Sequence, residues 1–137
     1  MLKFNETPEA EFSTISALSR SDHHAKRRQR GKLYAVETIS LRDLLRAHHA
    51  PLSIDYLSID TEGSEFSILN GFLPSHYEIR IITVEHNYTD QRSRIHGLLT
   101  SCGYSRVFQE LSMFDDWYIK SSASGFLLEP GISVEQR

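Results

Sequence analysis

The chain has a single cysteine, Cys102, among 137 residues, which excludes an internal disulfide and a thiolate metal cluster within one chain. That usage suits a reducing compartment, the cytoplasm by default. Nothing approaches the roughly 20 consecutive apolar residues of a membrane span, and the opening MLKFNETPEAEF lacks the apolar core of a signal peptide. No membrane partner is expected. An excess of cations is missing too: the net charge of -3 and pI of about 6.1 give no global attraction to nucleic acid. None of the seven glycines falls in a GxG turn, and there is no GxSxG nucleophile elbow. Internal repeats and low-complexity linkers are also absent.

What is present is ordinary globular composition, 39% hydrophobic and 24% charged. A single domain of this size buries roughly two thirds of its unfolded surface, enough for a core without disulfide or metal. Residues 1–32 read as an irregular lead-in: Leu2 to Phe4 could be a short strand, but Glu6 to Ser21 is polar, carries Pro8 and keeps no period. Asp22 to Arg30, DHHAKRRQR, crowds four cations and reads as a solvated loop or frayed helix.

Patterning begins at Leu33 to Ile39, a strand, followed by a helix capped by Ser40 with Leu41, Leu44, Leu45 and His48 on one stripe. Pro51 stops that helix. Ile54 to Asp60, IDYLSID, is a strand ending in a carboxylate. Ser64 to Leu69 is a short helix closed by Asn70-Gly71. Ile79 to Glu85, IRIITVE, is the most β-prone segment and should be central in the sheet. Thr89 is the expected cap of a helix from Asp90 to Cys102, with Ile95, Leu98, Leu99 and Cys102 on its apolar stripe. Tyr104 to Phe108 and Trp117 to Ile119 then form an edge hairpin turning at Asp115-Asp116. This order predicts one α/β layer with a mostly parallel sheet.

Ligands in open parallel sheets lie beyond the carboxyl ends of the strands. There the sequence delivers Asp60, Glu62 and Glu65 around Gly63 from one strand, and Glu85 with His86 from another. Crowded carboxylates raise one another's pKa, so one can serve as a base near neutral pH, and Gly63 lets backbone approach a ligand. The competing structural reading is that Glu62 and Glu65 stabilise the positive end of the following helix. His86 is either a general base held by Glu85 or an ordinary loop histidine. The adjacent pairs His23-His24 and His48-His49 point apart, so no metal site is expected from them. Trp117 reads as edge-strand packing.

These residues carry a resemblance. VETISLRDLL followed by IDYLSIDTEGSEFSILNGF is similar to the middle of FkbM-type methyltransferases, whose pattern IDxLKIDxEGxExxVLxG is met by Ile54, Asp55, Ile59, Asp60, Glu62, Gly63, Glu65, Leu69 and Gly71. ITVEH and LLTSCGY extend it, so that it covers about residues 33 to 120. The resemblance implies a partial Rossmann-like class I methyltransferase sheet with a C-terminal antiparallel hairpin. It also implies S-adenosylmethionine as cofactor and a hydroxyl of a sugar or secondary metabolite as acceptor. Asp60, Glu62, Glu85 and His86 are then the expected catalytic residues, and Asp60, Thr61 and Gly63 the expected cofactor contacts, Asp60 near the reactive end.

Two departures stand out. Ser58 replaces the family's usual lysine, and the DxGAxxG turn that opens the family's domain is missing. The chain is then a fragment of a longer reading frame, which is favoured, a decayed copy, or a half-domain completed by another chain. As an interaction module it would dock that partner through an open sheet edge, at Ile54 to Asp60 or Leu33 to Ile39, which also invites self-association. Residues 121–137 are expected to be a weakly structured tail. Nucleic-acid binding through Lys26 to Arg30 would show a steep salt dependence and is not expected.

Overall fold

A computed structural model describes residues 1–121. The chain forms two sheets: a three-stranded antiparallel one built from the N-terminal residues, and a four-stranded mixed one backed by helices. The expected tail lies outside the described residues from residue 122 onward.

The four-stranded sheet contains β4 (Ser53–Ile59), β5 (Glu78–Glu85), β6 (Tyr104–Val107) and β7 (Asp115–Lys120), in the order β4-β5-β7-β6. β4 and β5 run parallel, with Ile54 opposite Ile79 and Ile59 opposite Val84. The β5–β7 and β6–β7 pairings are antiparallel. One parallel pairing against two antiparallel ones corrects the expectation of a mostly parallel sheet. The strand expected from Leu33 pairs elsewhere, in the N-terminal sheet, so it adds no parallel neighbour to β4.

β5 is interior, as its β-branched sequence demands: Ile79 and Ile82 are 0% exposed and Val84 1%. β7 is interior as well, which places Trp117 within the sheet and β6 at its edge. The expected turn residues Asp115 and Asp116 begin β7, and Asp116 is buried.

Three α-helices connect these strands: α1 (Leu41–Ala47), α2 (Glu65–Phe72) and α3 (Gln91–Ser101). The Ser40 side chain caps α1 by accepting from the Asp43 N–H at 3.1 Å. Leu41 and Leu45 pack on the core, while Leu44 stays exposed. α2 continues through Asn70-Gly71, one turn further than the sequence suggested. Burying Phe72 outweighs the roughly 1 kcal/mol that a helical glycine costs. α3 buries Ile95 and Leu99, with Leu98 and Cys102 packed at the margin, as the stripe required. Thr89 does not cap it; Asp90 takes the N-cap position without a side-chain bond, and the Thr89 hydroxyl donates to the His86 carbonyl.

The N-terminal 32 residues are ordered, contrary to the expectation of an irregular lead-in. β1 (Leu2–Glu6) lies between β2 (Thr14–Ile15) and β3 (Lys32–Val36), both antiparallel to it. A 3-10 helix, His23–Arg30, occupies the basic segment. The interior of this unit is polar. Asn5 is buried and donates to the Ser19 hydroxyl at 2.9 Å and the Arg28 carbonyl at 3.0 Å. Its packing is built from hydrogen bonds, which hydropathy does not report.

Candidate functional site

The carboxyl ends of β4 and β5 lie side by side, so Asp60 and Glu85 close two neighbouring strands on one rim. The turn from Asp60 to Glu65 determines what each acid there can do. Glu62 and Gly63 both adopt left-handed backbone, with φ of 56° and 111°. Glycine suits the second, where a Cβ would also meet the Ser21 hydroxyl at 3.1 Å. Gly63 thus makes its close approach to the N-terminal segment. Its N–H donates to Glu65 Oε1 at 3.0 Å, and its carbonyl accepts from Gln91 Nε2 at 2.9 Å.

Glu65 is 3% exposed, and its Oε1 also accepts from the Thr61 N–H at 2.8 Å and the Thr61 hydroxyl at 2.9 Å. It ties the turn to the first residue of α2. That is the structural role foreseen for an acid at a helix start.

Glu62 belongs to a buried ion cluster. Arg28, with a fully buried side chain, donates to both oxygens of Asp22 at 2.8 and 3.0 Å and to Glu62 Oε2 at 2.6 Å. Its Nε donates to the Phe12 carbonyl at 2.7 Å, and the Thr14 hydroxyl donates to the Glu62 carbonyl at 2.7 Å. Burial raises the Glu62 carboxyl above its ordinary range, although the Arg28 charge opposes it. The basic segment therefore contributes one arginine to the interior, and that arginine anchors the acidic turn.

Asp60 and Glu85 remain. Carboxylate oxygens of Asp60, Glu62 and Glu85 lie within 4.8 Å of one another, close enough for one cation to bridge them. Burial, the Asp60 charge and a hydrogen bond with Asp60 push the Glu85 carboxyl up to about 8. Glu85 therefore keeps its proton at neutral pH. Asp115, the antiparallel partner of Glu85, adds a fourth acid to the rim, its carboxyl raised by burial and by Asp60.

His86 is turned away from this group. Its side chain is 1% exposed, Nδ1 accepts from the Tyr88 N–H at 3.0 Å, and Nε2 lies 3.8 Å from Asp116 Oδ1. Burial, then Arg92, lowers its pKa. Burial works to raise Asp116, but its hydrogen bonds with Arg92, at 2.8 and 3.0 Å, hold it below the ordinary carboxylate range. His86 thus sits beside buried Asp116, which the partly exposed Arg92 and Arg106 also contact. Strand alternation gives the reason: the residue after Glu85 faces the opposite side of the sheet.

Beside the rim a cleft of about 830 Å³ opens between β4, α1, α2 and the N-terminal sheet. Ile39, Leu57 and Ile68 give it apolar walls, and Asp60, Thr61 and Ser64 line it with oxygen atoms. Of the residues expected to touch a cofactor, Asp60 and Thr61 line this cleft, while Gly63 is directed to the N-terminal segment. Sequence reasoning missed Arg28. Its only signal was an arginine close to a helix-capping aspartate in a segment otherwise suited to solvent.

Compared with known families, the chain matches the model of the methyltransferase FkbM domain over residues 3–106. That span takes in the N-terminal sheet as well as the acidic turn. No curated protein and no solved structure matches the chain.

Proposed function

The chain belongs to the methyltransferase FkbM domain family, and we propose from that membership that it transfers a methyl group from S-adenosylmethionine to a hydroxyl of a sugar or secondary metabolite. The observation that carries this reading is the gathering of Asp60, Glu62 and Glu85 within 4.8 Å, with Asp60 also lining the cleft. The cleft has the volume of a small-molecule site and combines apolar walls with a few oxygen ligands. Its acceptor oxygens and the Asp60 carboxylate suit a cationic ligand bearing hydroxyl groups.

Bound there, S-adenosylmethionine supplies a methyl group made electrophilic by its sulfonium. The protein holds and moves the proton. Above about pH 8 Glu85 is ionised and can accept the proton of an acceptor hydroxyl, with Asp60 orienting that hydroxyl beside it. Glu62, anchored by Arg28, and Glu65, bonded to Thr61, fix the turn that follows Asp60. The general base contributes roughly 10²- to 10⁴-fold, and alignment of the two reactants supplies much of the remaining rate.

Titration calorimetry of the full chain with S-adenosylmethionine tests the reading. Micromolar binding that weakens in Asp60→Ala supports it; millimolar or absent binding removes independent catalysis by this chain. A second reading, a non-catalytic module docking a partner chain, draws on the lack of a GxG turn and on β4 having one unpaired edge among the described residues. In either reading the protein works in a reducing, aqueous compartment such as the cytoplasm. No helix among the described residues is long and apolar enough to cross a membrane.

A further inference from the structure

We propose that Arg42 and Asp43, both on α1, form the amino-acid end of the cleft, where Arg42 receives the carboxylate of S-adenosylmethionine and Asp43 its ammonium group. This rests on reading the cleft as the methyl-donor site. It supplies a hold on the donor that does not need a GxG turn, which this chain lacks.

The cleft runs along α2. Asp60 and Ser64 line it where that helix begins, and Gly71 and Phe72 line it where the helix ends, roughly 10 Å further along the axis. α1 meets this second end: Arg42 also lines the cleft, and its Nη2 donates to the Gly71 carbonyl at 2.8 Å. An acid therefore marks one end of the cleft and a cation the other. A donor with a sulfonium at its middle and a carboxylate at its tip suits that division of charge.

The bond to Gly71 fixes Arg42 without using it up. It engages one nitrogen with a backbone carbonyl near the C-terminal end of α2, where a cation is favoured. Among the described residues no carboxylate pairs with Arg42. The remaining N–H groups of its planar fork can take a carboxylate through two parallel bonds.

Asp43 also lines the cleft. Its Oδ2 accepts from the Ser40 hydroxyl at 2.7 Å, while its Oδ1 lies 3.7 Å from Arg46 Nη1, too far for a hydrogen bond. With the side chain 59% exposed, Oδ1 is open to a donor. A zwitterion pairs with neighbouring charges of opposite sign, which a lone arginine cannot supply. Arg46, one turn after Arg42 on the same side of α1, adds to the cationic part.

Titration calorimetry of the full chain tests this with S-adenosylmethionine, S-adenosylhomocysteine, decarboxylated S-adenosylmethionine and methylthioadenosine. The second lacks the sulfonium charge, the third lacks the carboxylate, and the fourth lacks the sulfonium charge and the whole amino-acid group. The two ligands with a carboxylate should bind at least about tenfold more tightly than the two without. Arg42→Ala should weaken those two by about that factor and leave the decarboxylated ligand unchanged, whereas Asp43→Asn should weaken every ligand with an ammonium group and spare methylthioadenosine. A merely structural bond from Arg42 to Gly71 would weaken all four alike, and that result overturns the assignment. So does the absence of a carboxylate preference in the wild type, a measurement that still decides if Arg42→Ala fails to fold. Binding of all four without that preference removes the amino-acid end alone; binding of none removes the donor reading with it.

Discussion

Arg28 and Glu62 stand 34 positions apart in the chain, and their side chains meet at 2.6 Å in a site closed to solvent on the arginine side. The pair joins the N-terminal unit to the turn that carries the candidate chemistry. Removing one partner of a buried pair leaves an uncompensated charge, at a cost of about 3–5 kcal/mol. Arg28→Ala should therefore shift the urea midpoint far more than alanine at the exposed neighbour Arg27. Equal effects at the two positions would show that the cluster carries no special weight.

Glu85 makes stability depend on pH in a stated direction. Its folded carboxyl lies at about 8, above the 4.5 of an unperturbed glutamate, so its proton stabilises the fold fully below pH 4.5. That contribution declines as the pH rises through 8. Glu85→Gln, permanently neutral, should raise the melting temperature at pH 9, by roughly 3–6 °C for each kcal/mol recovered in a domain of this size. At pH 4 it should change little. In a methyl-transfer assay the wild-type rate should climb through pH 8 and level off above it, and the variant should lose that limb.

Glu65 should matter through the backbone it holds. Glu65→Ala removes an acceptor used by the Thr61 N–H, the Thr61 hydroxyl and the Gly63 N–H, a loss of about 1–3 kcal/mol. Hydrogen exchange at the Thr61 and Gly63 amides reports it directly. Both should be protected in the wild type and exchange freely in the variant; continued protection would mean the turn holds its shape without the glutamate.

β4 keeps one edge unpaired among the described residues, with Tyr56 51% exposed on it. Such an edge invites pairing with a second chain, and a lysine on an edge strand is a common defence. We expect self-association of the chain in light scattering, reduced by Ser58→Lys. A wild-type protein that is monomeric at all concentrations removes this expectation.

The rim acids were legible because strands rich in β-branched residues announce their own ends, which puts Asp60 and Glu85 on one edge by pattern alone. Three features were not. The N-terminal sheet buries Asn5 and Thr14, whose polarity looked like surface. The role of Arg28 depends on a contact 34 residues away, which no local pattern encodes. The third, the orientation of His86, was available from the period of two along β5, yet proximity to Glu85 in sequence outweighed it. Sheet direction failed for a related reason: the segment after Val36 leads into α1 without joining β4, and the antiparallel β7 takes the place beside β5.

β4, α2 and β5 occupy one uninterrupted stretch from Ser53 to Glu85, and this contiguity bears on the order of folding. Closing that short crossover costs less chain entropy than assembling elements from distant parts of the sequence, so we expect it in the transition state. The arginine from the N-terminal unit can engage Glu62 only once the turn exists. Arg28 substitutions should then accelerate unfolding and leave the refolding rate nearly unchanged, while shortening Ile82 should slow refolding. The acidic turn would be shaped early and locked late.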